Sequence, residues 1–214
     1  MLESVKFIFW ITVPVALVMS FFSYDIFYTI FYRLAGNFSL AQVDEAAALL
    51  IAFLPGLFFF SLNKMLLSVY YALHETRYTL YITIAGTILN VLLNRLLMPP
   101  YGALGIAVAT VLAAIAQSIL LLCALKVKFG FPLYGARFSQ FVFYYFLQLA
   151  LCGAVLFLLY RTVIALCLLL APGWSDLLFH SIGLWFWVAP ICLVAAGMVW
   201  YLRNKGGVRL YFFD

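Results

Sequence analysis

Apolar and polar positions along the chain fall into long apolar stretches separated by short polar breaks. Six stretches are long enough to cross a bilayer: residues 5–28, 46–73, 78–98, 104–125, 138–160 and 184–202. Each supplies the roughly 20 residues that a helix needs to traverse about 30 Å of hydrocarbon. A lone strand there would leave its backbone groups unpaired, so each stretch is expected to be a helix. The breaks carry turn-forming residues: Gly36-Asn37, Pro99-Pro100-Tyr101-Gly102, Gly130-Phe131-Pro132 and Pro172-Gly173. Only His74-Glu75-Thr76-Arg77 separates the second stretch from the third, which predicts a tight hairpin. The first stretch continues to Tyr28 without a small-residue cleavage site, so it reads as a span and not as a signal peptide. The expected fold class is an all-α integral membrane protein with about six transmembrane helices.

Composition agrees with this pattern. Hydrophobic residues make up 68% of the 214 and charged residues 9%, against about a quarter charged in soluble domains. The net charge of +5 would suit nucleic acid if it were gathered on one surface. The basic residues instead flank the spans, so they report topology and no nucleic-acid partner is expected. With the N-terminus inside, Lys6, Arg77, Lys126, Lys128, Arg137, Arg203, Lys205 and Arg209 are cytoplasmic. Arg33, Arg95 and Arg161 are then outside and Lys64 lies within a span. This bias predicts that both termini are cytoplasmic. Past Arg161 apolar residues continue to Ala171; the preferred reading has Arg161 snorkelling at the outer interface and 163–171 lying along the membrane, and the alternative is a long tilted helix. Cys123, Cys152, Cys167 and Cys192 all sit in apolar stretches without a C-x-x-C pair and read as small apolar packing residues.

Few groups could carry catalysis. His74 and His180 fall on opposite sides of the membrane in this topology, and no metalloprotease or phosphate-loop motif occurs. Asp44-Glu45 precede the second span, where acidic residues favour a helix N-terminus. No enzymatic activity, metal or cofactor is therefore expected. The second span holds more. Ser61, Lys64, Ser68, Tyr71 and Glu75 recur at spacings of three and four and share one helical face. Lys64 lies roughly 7 Å from the span's centre, reckoned at about 1.5 Å per residue. A charge there costs on the order of 2.5–3.5 kcal/mol on insertion scales. It either faces protein or a wet cavity, the reading favoured by Ser68 and Tyr71 on the same face, or snorkels to the headgroups. The third span carries Thr83, Thr87, Asn90 and Asn94, suited equally to hydrogen-bonding a neighbouring helix and to touching a substrate. In the fourth, Gly105, Ala109 and Ala113 form a small-residue face for close packing. Pro14 and Pro55-Gly56 mark places where spans one and two can kink. Asn37-Phe38-Ser39 is read as a chance match to a glycosylation site.

The segment Val69-Tyr70-Tyr71-Ala72-Leu73-His74-Glu75-Thr76-Arg77-Tyr78-Thr79 resembles the signature F-Y-A-R-x-D-T-x-T-P of the MurJ/MviN lipid II flippases. Other positions keep register with that family. Phe31 to Ser39 resembles its F-x-R-G-x-F-T loop, and Lys64 aligns with a lysine upstream of the signature. Asn90 and Asn94 fall on an N-x-x-x-N step, Pro100 to Gly105 on a G-P-x-x-x-x-G turn, and Gln117 on a polar position of the next span. Leu73 stands where the signature has arginine, Glu75 where it has aspartate, and Thr79 where it has proline.

The resemblance implies a lipid-linked peptidoglycan precursor as substrate, alternating access as mechanism, and the bacterial inner membrane as location. With the polar face of the second span, it gives Lys64, Ser61, Ser68, Tyr71, Asn90 and Asn94 as the expected substrate-binding residues. The family has fourteen spans, in two six-helix lobes and a final pair, and the resemblance covers the last six. Residues 1–128 would be four helices of the C-terminal lobe, and 129–214 the final pair, forming a groove for the lipid tail. Besides membrane lipids, the expected partner is an N-terminal lobe, encoded separately or missing, which carries the arginines for the pyrophosphate. The alternatives are a non-transporting membrane subunit or inactive remnant, and a flippase for another lipid-linked oligosaccharide.

Overall fold

The structure, a computed structural model, describes residues 2–34, 36, 39–130 and 139–147, with single helical positions at 150, 154, 158, 162 and 197. The elements assigned among them are all helical. Among the described residues four helices are long and apolar enough to cross a membrane. The expected spans 138–160 and 184–202, and the reading of Arg161, lie largely outside the described residues; 139–147 are helical.

The first expected span, 5–28, is not one helix. Helix α1 (Leu2–Phe21) runs through Pro14 and stops at Phe22. A short α2 (Ser23–Phe27) follows, then a π-helical segment (Tyr28–Leu34). The Ser23 hydroxyl donates to the Ser20 carbonyl at 3.1 Å, a local bond that competes with the helical ladder. The wider winding beyond it stacks Phe27 on Phe31 and Tyr28 on Tyr32, with ring centroids 5.7 and 5.1 Å apart.

Helix α3 (Leu40–Ala72) starts six residues before the expected 46. Ser39 and Gln42 explain the early start. The Gln42 N–H donates to Ser39 Oγ at 3.4 Å, and the Ser39 N–H donates to Gln42 Oε1 at 2.8 Å, a reciprocal cap of the S-x-x-Q type. Asp44 and Glu45 consequently lie inside the helix, one turn past the N-terminus at which they were expected. At 33 residues, α3 is roughly 50 Å long, so it reaches beyond the hydrocarbon or tilts.

The predicted hairpin after α3 forms through a left-handed cap. The Glu75 N–H donates to Tyr70 O at 3.1 Å and the His74 N–H to Tyr71 O at 3.0 Å. This is the Schellman pattern, with His74 at φ 58 in the position usually given to glycine. Helix α4 (Thr76–Tyr101) begins at once. It runs through Pro99-Pro100, which were expected to lie in the connector. Proline's φ suits a helix, and the hydrogen bonds lost are to the exposed Arg95 and Leu96 carbonyl groups of the final turns. The break comes at Gly102 alone. Its φ of 58 and ψ of −133 favour a residue without a side chain, and its N–H caps Met98 O at 2.8 Å. Helix α5 (Ala103–Phe129) ends on Gly130, left-handed at φ 63.

The chain divides into two compact units, Met1–Tyr24 with Asp44–Tyr134, and Asp25–Val43 with Gly135–Asp214. The core of the first unit joins Leu62, Leu66 and Tyr70 of α3 to Leu121 and Leu125 of α5. Val5 of α1 and Ile82 of α4 pack against it. Phe9 of α1 meets Phe58 of α3 edge-on at 5.2 Å. The small-residue face expected on the fourth span is buried at Gly105, Ala109 and Ala113.

Candidate functional site

Helix α3 presents two faces of opposite character. Leu62, Asn63, Leu66 and Tyr70 are buried, while Lys64, Ser68 and Tyr71 are exposed and Ser61 is half-buried. A helix turns about 100° per residue, so Asn63 and Lys64 point in distinctly different directions although they are neighbours. Among the described residues the Lys64 ammonium has no ion-pair or hydrogen-bond partner. The Ser68 hydroxyl is turned back onto Lys64 O at 3.1 Å. Lys64 stands eight residues before the helix end at Ala72, roughly 12 Å along the axis. Glu75 does not extend this face as its spacing suggested. The helix has ended at Ala72, and the left-handed His74 redirects the chain.

On α4, the Thr87 hydroxyl donates to Thr83 O at 3.0 Å. Asn94 Nδ2 donates to Asn90 Oδ1 at 2.7 Å, and Asn94 Oδ1 is buried without a hydrogen-bond partner. Gln117 Nε2 of α5 reaches Thr83 Oγ1 at 3.4 Å. The stripe thus contacts a neighbouring helix at Thr83, while the two asparagines bond each other along α4. Among the described residues no hydrogen bond joins Asn90 or Asn94 to the Lys64 face.

Other polar groups take part that the spacing of the Lys64 face does not single out. Asn63 Nδ2 donates to Ala114 O of α5 at 3.1 Å. The Ser118 hydroxyl lies 2.7 Å from Asn63 Oδ1 and 2.9 Å from Ala114 O, so its one proton is shared between them. Seven residues on, the Tyr70 hydroxyl donates to Leu121 O at 2.8 Å. Asn63 and Tyr70 are two turns apart on one face, a periodic signal hidden by the more conspicuous lysine next to it. At the hairpin, the Lys128 ammonium meets Glu75 Oε1 at 2.7 Å and lies 3.7 Å from the centre of the Tyr78 ring. The α3–α4 turn and the end of α5 are thereby joined by a pair that is one-third exposed on each side.

Groups of three or more His, Cys, Asp or Glu side chains that could hold a metal ion do not occur among the described residues. What the first unit offers is a held helix with one polar, cationic face left open. Such a face suits contact with an anionic group more than bond-making chemistry.

Comparison with known proteins gives this arrangement a family. A family model described as "Lipid II flippase MurJ" matches residues 1–174. The chain is 35% identical over 118 residues to a Haemophilus influenzae protein named "Probable lipid II flippase MurJ", covering 55% of this chain and 22% of that one. It is 26% identical over 153 residues to a Vibrio cholerae protein of the same name, covering 72% of this chain and 28% of that one. The chain thus spans about a quarter of the length of these relatives.

Proposed function

Because the chain belongs to the lipid II flippase MurJ family, we propose that it is the C-terminal part of a flippase for a lipid-linked peptidoglycan precursor in the bacterial inner membrane. It acts as a carrier by alternating access and not as an enzyme. Residues 1–128 contribute helices of the C-terminal lobe and 129–214 two further spans. An N-terminal lobe supplies the opposite wall of the cavity. Both termini are cytoplasmic, on the strength of the uneven Lys and Arg distribution. Within the site, Lys64 engages an anionic part of the substrate, with Ser61, Ser68, Tyr71, Asn90 and Asn94 as polar contacts.

The observation that carries this reading is Lys64 itself, a cation within a long apolar helix and without a partner among the described residues. A charge placed there by chance is costly, so a functional counter-charge is its natural explanation. Growth of a strain conditional for its flippase tests it. The chain co-expressed with an N-terminal lobe is expected to restore growth, and Lys64→Ala to abolish that rescue at unchanged protein level, with Lys64→Arg keeping part of it. A fully active Lys64→Met variant would show that the lysine only snorkels. Rescue by the 214-residue chain in a cell encoding no such lobe would remove the need for the second wall. Cysteines at Asn37, Tyr101 and Ser175 should label from outside, and those at Arg77, Gly130 and Asn204 from inside; external labelling at Gly130 would reverse the orientation.

A further inference from the structure

The bonds from α3 and the turn after it to α5 keep an even register. Their partners are 51 residues apart at Asn63–Ala114, 55 at Asn63–Ser118, 51 at Tyr70–Leu121 and 53 at Glu75–Lys128. The two helices therefore run parallel and are linked at two levels two turns apart, with a third at the turn that follows α3. Two of these levels are buried, with Asn63 7% exposed, Ser118 1% and Tyr70 0%. Leucine packing alone fixes the azimuth of a helix less sharply, because an apolar seam of the right volume loses uniqueness before it loses stability. A side-chain amide whose donor and acceptor are both used by one neighbouring helix has no equivalent alternative setting.

We infer that Asn63, held by Ala114 and Ser118 and seconded by Tyr70, is a positioning residue that sets the rotation of α3 and so keeps Lys64 on its open face. The functional weight of this inference rests on the reading of Lys64 given above; the geometric part does not. Asn63 uses its amide N–H toward the Ala114 carbonyl and its amide oxygen toward the Ser118 hydroxyl. With those contacts gone, the Tyr70 hydroxyl makes the one buried interhelical bond among the described residues that still resists a turn of α3 carrying Lys64 toward α5. A hydrophobic replacement of similar size at position 63 keeps the packing and removes only the key.

Disulfide mapping of the full chain in membranes, in a background with Cys123, Cys152, Cys167 and Cys192 replaced by serine, reads this rotation directly. With Asn63 present, Leu66→Cys should cross-link to Leu121→Cys, and Leu67→Cys, about 100° further round the helix toward Lys64, should not. Introducing Asn63→Leu should move a substantial share of the cross-linking, several-fold above background, to the Leu67→Cys pair, the direction that carries Lys64 toward α5. The exchange Asn63→Ser with Ser118→Asn, which rebuilds an interhelical bond in the opposite sense, should restore the original pattern. A role in packing alone predicts no redistribution, since leucine fills the same volume; an unchanged pattern in Asn63→Leu would overturn the inference. Should that variant not accumulate, Ser118→Ala, which removes one of the two contacts, must give a smaller shift in the same direction, and its failure to do so would overturn it equally. Growth rescue by the same variants separates the two claims. Redistributed cross-links with full rescue leave Asn63 as the key and dismiss Lys64 as a substrate contact, whereas an unchanged pattern dismisses Asn63 whatever Lys64 does.

Discussion

The seam between α3 and α5 is keyed by buried hydrogen bonds, whereas the seam between α4 and α5, with one exposed bond from Gln117 to Thr83, relies mainly on residues with little or no side chain. On the first, an amide and two hydroxyl groups reach across to carbonyl groups and to each other. On the second, a methyl group at Gly105 would run into the Leu97 carbonyl, and one at Gly86 would come within 3.2 Å of Gln117 Oε1. Lipid chains are as apolar as leucine, so helices in a bilayer gain little by hiding apolar surface from lipid. Close backbone approach and interhelical hydrogen bonds are the two remaining sources of affinity. Helix α5 relies mainly on the first toward α4 and mainly on the second toward α3. The close-packed seam gives proximity with little rotational preference; the keyed seam gives a fixed azimuth, and it belongs to the helix whose exposed face bears Lys64.

The largest effect is expected where approach is tightest. Gly105→Ala places a carbon against backbone that cannot swing aside, at the one-residue turn linking α4 to α5. A loss of about 1–3 kcal/mol, or failure to accumulate, is expected and would be read from thermal unfolding in detergent. An unchanged Tm would mean that closeness does not limit this seam. Tyr70→Phe deletes one rung of the keyed seam while keeping the ring, and should cost about 0.6–1 kcal/mol. A much larger loss would show that the rungs act together and not singly. Glu75→Gln breaks the ion pair with Lys128. Because both groups are partly exposed, the expected drop in Tm is smaller still and should shrink as salt is raised. The smallest effect is expected for Gly86→Ala, within a few tenths of a kcal/mol, because the opposing atom ends a flexible glutamine side chain. A drop matching that of Gly105→Ala would show the two glycines to be equally confined.

Several local features are legible in the chemistry of the chain alone. The hairpin at His74 to Arg77 follows from a short polar break between two apolar stretches, and the stop at Gly130 from a turn-forming residue. The early start of α3 is written there too, since Ser39-Leu40-Ala41-Gln42 carries the S-x-x-Q cap spacing; the overlapping triplet Asn37-Phe38-Ser39, with its likeness to a glycosylation site, masks it. Two features resist such a reading. Proline reads as a breaker, yet Pro99 and Pro100 stay helical because the bonds they forfeit belong to the final turns. The interruption at Phe22 leaves little trace, because Ser20 and Ser23 are ordinary residues until one hydroxyl finds the other's carbonyl. The candidate site is half legible. Lys64, Ser68 and Tyr71 do share an exposed face, but Glu75 leaves it for Lys128, and among the described residues no hydrogen bond joins Asn90 or Asn94 to it.

By itself the sequence determined that this is a helical membrane protein and where most of its helices turn. In hydrocarbon every backbone group must be satisfied within its own segment, so apolar length alone dictates the element. It also determined the family, through a signature that spans the α3–α4 hairpin. Only the tertiary structure decided which polar residue of α3 is spent on packing and which is left open. Asn63 and Lys64 are adjacent in the chain, and both are costly to leave bare in lipid. Their fates diverge because the carbonyl of Ala114 and the hydroxyl of Ser118, more than fifty residues away, lie within reach of one and not of the other.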